Sequence, residues 1–191
     1  MTTLTAPIAE LPPEFRPLRR SEYDHLVGLG VFEGTRVELV GGVLVEMSPQ
    51  KPPHYGLILK LNKLLVLAAG DDYVVGAQGP LAVDDISEPE PDFTILPTGL
   101  DYMQVLPEQA FLVMEVSNSS LRFDLGEKAR RYAMAGYPEY WVLDVQARVV
   151  HVHREPRPDG TWGSIVPEGS GQLTAIATPS ISLDLDELLQ Y

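Results

Sequence analysis

The chain has 191 residues, a length typical of one domain with a single sizeable core. Apolar residues make up 45% and charged residues 21%, a composition that excludes both wholesale disorder and fibrous repeats. The absence of cysteine rules out disulfides, thiolate zinc sites and a cysteine nucleophile. The net charge of -13 argues against a protein that coats phosphate backbones, although a local basic patch stays compatible with nucleic-acid contact.

The lengths of the apolar runs and the first 20 residues bear on membrane insertion and secretion. The longest runs, such as residues 111–116, are far shorter than the roughly 20 residues that cross a bilayer. The first 20 residues have no basic start followed by an apolar core of about 7 to 15 residues. We therefore expect no membrane contact and a cytoplasmic location. Four prolines in residues 1–20 predict an extended arm, which leaves residues 21–191 as one domain.

The first half of the chain predicts a short helix, a hairpin and a long helix. Ser21 is a suitable N-cap for a helix that ends near Gly28 or Gly30. The runs RVELV and VLVEM flank two glycines at 41–42, the loop of a tight hairpin. Because side chains alternate along a strand, Glu38 lies on the face opposite to Val37 and Leu39. That face is either exposed to solvent or lines a polar cleft. Residues 54–69 have the apolar spacing of an amphipathic helix.

The second half predicts strands around one further helix. That helix is expected over 124–135, with Asp124 as N-cap, Lys128 at the edge of its apolar stripe, and Glu127 and Arg131 pointing away. Strand-like runs occupy 73–76, 80–84, 92–96, 111–116, 140–145, 149–154 and 181–185. We expect an α+β (mixed α/β) fold, in which helices flank a central mixed β-sheet.

Two carboxylates are the first candidates for chemistry. Glu115 lies in the apolar run FLVMEV, and burying an unpaired charge costs several kcal/mol, so it needs a cation, a hydrogen-bond network or a raised pKa. Asp92 opens a neighbouring strand-like run. If the two strands pair, both carboxylates converge at one end of the sheet and supply the hard oxygen ligands that Mg²⁺ or Mn²⁺ prefers.

Basic residues follow on the predicted helix. Lys128, beside a metal and two carboxylates, would orient an attacking water and offset charge on a scissile phosphate. Arg122, Arg130 and Arg131 form the densest basic stretch of the central chain and are candidates for phosphate contacts.

The order of these segments resembles the Uma2 family of restriction-endonuclease-like proteins, within the PD-(D/E)XK nuclease superfamily. The resemblance spans roughly residues 20 to 150 and rests on RVELVGGVLVEMSP, a histidine opening a helix at 54, PEPDFTIL, and FLVMEVSNSSLRFDLGEKARRYAMAGYPEYWVLDV. It implies a four- or five-stranded mixed core sheet flanked by helices. It also implies that Pro91-Asp92 is the PD element, that Glu115 is the next acid, and that the Val116 carbonyl contacts the metal.

The chain departs from the superfamily pattern where a lysine is expected two residues after the acid. Ser117 stands there, and the resemblance implies that Lys128 on the following helix takes the lysine's role. Glu38 matches an acidic position of the family's N-terminal segment and is a candidate outer or second metal ligand. His54 is a candidate substrate contact.

These observations predict a metal-dependent nuclease that acts on nucleic acid, with DNA as the leading substrate and Mg²⁺ or Mn²⁺ as cofactor. The rival is a non-catalytic nuclease-fold module that binds nucleic acid or a protein partner. A third reading has the two carboxylates act as acid and base on a glycosidic bond. Enzymes that cut both strands are often dimers, so a homodimer is an option.

Each candidate also has a purely structural interpretation. Glu115 would be a buried acid tied to the backbone or to a basic partner, and Asp92 would cap a turn. Lys128 would be a solvated lysine with a buried stem, and His54 a half-buried residue at a helix start. A Lys128 remote from Glu115 would remove the main support for the nuclease hypothesis.

Overall fold

The computed structural model describes residues 15–191, and the predicted arm over residues 1–20 lies for the most part outside them. Within that range no helix combines the length and the apolarity that a membrane crossing requires. The first elements are α1 (Arg20–Gly28), β1 (Val37–Val40), β2 (Val43–Glu46), α2 (Pro52–Ala69) and β3 (Tyr73–Ala77).

The rest of the chain alternates between strands and short helical segments. Between β5 and β6 it runs continuously through α3, a π-helical turn and α4. The elements are β4 (Phe93–Pro97), β5 (Leu112–Ser117), α3 (Leu121–Phe123), the π-helical turn (Asp124–Lys128), α4 (Ala129–Met134), β6 (Glu139–Asp144), β7 (Val149–Pro156), β8 (Trp162–Glu168), β9 (Gln172–Thr174), β10 (Ser182–Asp184) and α5 (Leu185–Leu188).

The central sheet has six strands in the order β3-β4-β5-β6-β7-β8. Only β5 and β6 are parallel, because the helical segment between them carries the chain back across the sheet, whereas the other neighbours run antiparallel. Strands β1 and β2 form a separate hairpin, and β9 pairs with β10. The predicted mixed α+β fold and its N-terminal hairpin are confirmed.

The strand prediction fails at two places. The sheet exceeds the expected four or five strands because β8 pairs with β7, although most of β8 is exposed and shows little apolar alternation. The predicted strand over 80–84 forms only an isolated bridge between Asp84 and Ser87. The neighbouring segment contains Pro89 and Pro91, which have no N–H to donate, so a regular ladder cannot extend along it.

Alternation along the strands gives the sheet two apolar faces. One face carries Phe93, Met114 and Trp141 and packs against α2. The other carries Val113 and Val142 and packs against the segment between β5 and β6. Since side chains alternate with a period of two, Glu115 shares the face of Val113 and points toward that helical segment.

The predicted helix over 124–135 begins three residues earlier, and Asp124 lies inside it rather than at its N-cap. A wheel drawn at 100° per residue fails here because the chain makes a π-helical turn over Asp124–Lys128. Glu127 and Arg131, expected to point away, are buried at 8% and 9% exposure. The hairpin covers both side chains. Gly41 packs so closely against them that a Cβ added to it would lie 2.5 Å from Arg131 Nη2.

The hairpin loop generates a stability prediction. Gly42 has φ +78°, and an added Cβ would lie 2.2 Å from the Cβ of Pro17. Gly34 has a similar φ of +81° but open space around it. We expect Gly34→Ala to cost about 1 to 2 kcal/mol for the left-handed backbone alone. Gly42→Ala should cost about 1 to 3 kcal/mol more through overpacking, as measured by urea unfolding. Equal losses would contradict the close packing at Gly42.

Candidate active site

Strand register brings Asp92 and Glu115 together. Strands β4 and β5 pair Phe93 with Met114, so the next residues outward, Asp92 and Glu115, lie opposite each other on one face. The backbone N–H of Asp92 lies 3.4 Å from Glu115 Oε2, and the N–H of Val116 donates to Asp92 Oδ2 at 2.8 Å. Both carboxylates are buried at the same end of two interior strands.

Lys128 joins this pair from the helical segment. Its Nζ lies 2.9 Å from Glu115 Oε1 and 3.0 Å from Glu38 Oε2, and none of the three side chains is more than 6% exposed. Glu38 Oε2 also accepts the backbone N–H of Glu90 at 3.0 Å. Of the two positions left open for Glu38, the structure places it in the polar interior. One buried ammonium therefore bridges two carboxylates from different elements.

Burial and charge act in opposite directions on this cluster. Burial raises the pKa of Glu115 well above its ordinary value, while the ammonium of Lys128 opposes the shift. Burial would lower the pKa of Lys128, but Glu115 and Glu38 outweigh it and raise that pKa well above its ordinary value. Lys128 therefore stays charged, and its ammonium partly offsets the effect of burial on the pKa of Glu115.

Asp124 belongs to the same cluster, although it was predicted only as a helix cap. It is 2% exposed, and its Oδ2 accepts the Ser120 hydroxyl at 2.5 Å. Burial raises the pKa of Asp124, with Lys128 and Ser120 opposing the shift. A spacing of four residues puts Asp124 and Lys128 on one side of a helix, and this signal was available in the sequence. Ser117, which replaces the expected lysine, lies 3.3 Å from the Ser120 hydroxyl.

Two further side chains contact Asp92. His54, in the first turn of α2, places Nε2 3.3 Å from Asp92 Oδ2. Gln78 donates from Nε2 to Asp92 Oδ1 at 3.4 Å, and its backbone N–H donates to the Asp92 carbonyl at 3.1 Å. Gln78 adopts a left-handed φ of +52°, a strained conformation for a residue with a side chain. No sequence pattern marked Gln78, because its backbone conformation arises from the tertiary fold.

The three candidate phosphate-binding arginines do not share one surface. Arg131 is buried and donates from Nε to Glu127 Oε1 at 2.7 Å, with Asp84 Oδ2 at 3.8 Å. Arg130 lies 3.7 Å from the same Glu127 oxygen but is 41% exposed. Arg122 is exposed. Phosphate contacts by Arg122 and Arg130 stay predictions, whereas the guanidinium of Arg131 is already engaged within the protein.

The donor set determines which kind of metal would fit. Asp92 and Glu115 offer hard carboxylate oxygens, but backbone N–H groups, Lys128 and His54 already contact them. Among residues 15–191 there is no group of three or more His, Cys, Asp or Glu side chains placed to hold a metal ion. A hard divalent cation such as Mg²⁺ or Mn²⁺ at this position would be held by two carboxylates, with water and substrate phosphate as its remaining ligands, rather than by an all-protein cage.

The shared ion pair predicts a large effect of removing Lys128. Lys128→Met would leave Glu38 and Glu115 buried without their cation, and we expect a loss of about 3 to 5 kcal/mol at pH 8. The loss should shrink at pH 5, because the raised pKa of Glu115 lets its carboxyl take up a proton. Urea unfolding at both pH values measures this. Lys63→Met, at an exposed position of α2, is the control and should stay within about 0.5 kcal/mol.

Comparisons with known proteins agree with this architecture. The fold is similar to a crystal structure described as "a putative nuclease belonging to DUF820 from Anabaena variabilis ATCC 29413", with a TM-score of 0.66, 12% identity, and coverage of 80% of this chain and 89% of that one. No curated protein matches the sequence. The Uma2 family model, described as "Putative restriction endonuclease", matches residues 20–186. The chain therefore belongs to the Uma2 family.

Proposed function

We propose that this protein is a Mg²⁺- or Mn²⁺-dependent nuclease that hydrolyses phosphodiester bonds in nucleic acid, with DNA as the substrate. The observation that carries the proposal is the 2.9 Å contact between Lys128 Nζ and Glu115 Oε1, directly beside Asp92. A distant Lys128 would have removed the main support for catalysis. Membership in a family of nuclease-like proteins supports the same conclusion. In this proposal residues 21–191 form one restriction-endonuclease-like domain.

Asp92 and Glu115 are the catalytic carboxylates of the proposal and would hold the metal. The Val116 carbonyl would be a further ligand, and Glu38 an outer one. A divalent ion, once bound, would lower the pKa of a water ligand and polarise the phosphate. The backbone N–H of Val116, His54 and Gln78 fix the orientation of the Asp92 carboxylate before substrate arrives.

Lys128 has a separate role. Its ammonium has three N–H donors, of which Glu115 and Glu38 take two. The remaining donor is available to orient the attacking water or to meet a phosphate oxygen as negative charge develops. No side chain is required as a nucleophile in this proposal, since water would be the attacking group and Lys128 would orient it. Arg122 and Arg130 would contact flanking phosphates, and His54 would contact the substrate.

The catalytic proposal predicts loss of cleavage in Asp92→Asn. We expect wild-type protein to cut DNA only with Mg²⁺ or Mn²⁺, and the variant to cut at least about 100-fold more slowly. The variant should also lose the heat of Mn²⁺ binding in calorimetry, because one of two carboxylate ligands is gone. A plasmid-nicking assay and calorimetry on the same samples measure both effects.

The matched control is Asp72→Asn, which neutralises an exposed carboxylate in the turn before β3. It should retain wild-type cleavage and metal binding. Circular dichroism and melting temperature establish that both variants are folded. Undiminished cleavage by Asp92→Asn would overturn the proposed roles, and absence of metal-dependent cleavage of any DNA or RNA would overturn the enzymatic proposal itself.

A second prediction concerns the substrate contact. Arg122→Ala removes an exposed guanidinium close to the site in sequence, so DNA binding should weaken and the slope of log K against log salt should fall by about 0.9. Fluorescence anisotropy with a labelled duplex in EDTA measures binding without cleavage. Arg157→Ala, exposed between β7 and β8, is the control. Identical salt slopes for wild type and Arg122→Ala would exclude this contact.

Two observations favour the non-catalytic alternative. Ser117 occupies the position of the usual catalytic lysine, and Glu115 has both oxygens engaged by protein donors. A nuclease-fold module that binds nucleic acid or a protein partner would need neither a free metal site nor a mobile lysine. The glycosidase alternative required a cleft without Lys128 and lined by aromatic residues, and the ion pair between Lys128 and Glu115 argues against it.

A further inference from the structure

A cavity of about 590 Å³ lies apart from the carboxylate cluster, between α1 and the loop over 100–109. This volume lies within the range of small-molecule sites, about 300 to 1,000 Å³. Its walls come from two surface segments, and Glu88 contributes from the segment behind them.

Glu88 is the unusual residue of this cavity. It is only 6% exposed, and its Oε2 is buried and accepts no hydrogen bond from a protein donor. The side chain within hydrogen-bonding reach is Asp24, itself a carboxyl, so the two share a hydrogen bond only while one of them is protonated. Its backbone is fixed, because its N–H donates to the Leu39 carbonyl at 2.7 Å and its carbonyl accepts the Leu39 N–H at 3.3 Å. A buried carboxylate oxygen without a donor costs free energy, so a ligand that donates a hydrogen bond here would recover it.

The remaining walls define the chemistry of such a ligand. Asp24 and Glu108 add two acidic side chains, and Arg20 is the single basic residue of the lining. The local charge is therefore negative and suits a cation. The opposite wall is apolar, with Leu100, Val105 and Leu106 between 42% and 53% exposed. Adjacent exposed apolar side chains of this kind commonly mark a contact surface.

We propose that this cavity binds an organic cation, an alkyl guanidinium or alkyl ammonium. The charged head donates hydrogen bonds to Glu88 and Asp24, and the alkyl stem lies on Leu100, Val105 and Leu106. A guanidinium suits two adjacent carboxyl groups because its planar fork carries several donors. The proposal does not rest on nuclease activity, since none of these residues belongs to the carboxylate cluster around Lys128.

Protonation of Glu88 is linked to binding. Burial and the neighbouring Asp24 raise the pKa of Glu88 to about 7, Arg20 opposes the shift, and Glu90 adds to it. Glu108 is a further acid in the lining. A carboxyl with a raised pKa holds its proton below neutral pH, and a cation binds the ionised form. Affinity should therefore be higher at pH 8 than at pH 6.

The test is calorimetric titration of n-butylguanidinium, which has one cationic head and an apolar stem, into the full-length protein in metal-free buffer. We expect saturable binding that weakens at least about tenfold in Glu88→Gln, since one charge-assisted hydrogen bond is lost. Glu88→Gln keeps the shape of the side chain and removes a buried charge, so the fold should be retained. Asp24→Asn should also weaken binding, whereas Asp72→Asn should not. Butanol, which has the stem without the cation, should not bind.

A second arm distinguishes the source of the cation. A short end-blocked peptide with one arginine presents the same head group and the same single charge as n-butylguanidinium. Binding of both indicates a partner protein's side chain as an acceptable source, and binding of n-butylguanidinium alone indicates a free small molecule. No binding of n-butylguanidinium at millimolar concentration, or equal affinity of wild type and Glu88→Gln, would overturn the proposal.

Discussion

The site depends on one buried ammonium shared by two carboxylates. Lys128 lies between Glu38 of the hairpin and Glu115 of the central sheet, so a single side chain ties the helical segment to both. Removing charges from water costs several kcal/mol per ion, and only close, multiple contacts recover that cost. The three charged groups therefore fix one another's positions, since each supplies a contact that offsets the cost of burying the others. The hairpin, which shares no strand with the main sheet, is fixed over the site partly by this interaction.

The cluster has more acid than base. Glu38 and Glu115 contact the ammonium of Lys128, Asp92 and Asp124 lie close by, and the pKa of Glu115 is raised by burial and by the other three acids. Surplus buried carboxylates repel each other, so this arrangement costs stability. In the proposed nuclease, a divalent cation would offset the surplus negative charge and so let a phosphodiester approach. Perturbed groups of this kind concentrate at functional sites, although structural networks produce them too.

Two local geometries position these groups. The register of β4 against β5 sets Asp92 opposite Glu115, and the π-helical turn brings Asp124, Glu127 and Lys128 into the interior together. These three residues are spaced i, i+3 and i+4, so they share one face of the helical segment, and Gly41 of the hairpin packs against Glu127 on that face. The strained φ of Gln78 adds a third feature, since it lets one residue contact Asp92 through both backbone and side chain. Regular structure is thus interrupted where chemistry is proposed.

Local sequence patterns alone determined several elements of this fold. The glycines at 41–42 specified the hairpin because only a positive φ closes that turn, and apolar periodicity specified α2 and the central strands. The charge of Glu115 in an apolar run indicated that it needed a partner. Lys128 was the predicted partner, because the helical wheel and the family resemblance both placed it toward the sheet. Only the tertiary structure showed that its ammonium is shared with Glu38 of the hairpin. The tertiary structure also decided the backbone conformation of Gln78, the interior position of Arg131 and the pairing of β8. Each of these depends on neighbours that are distant in sequence.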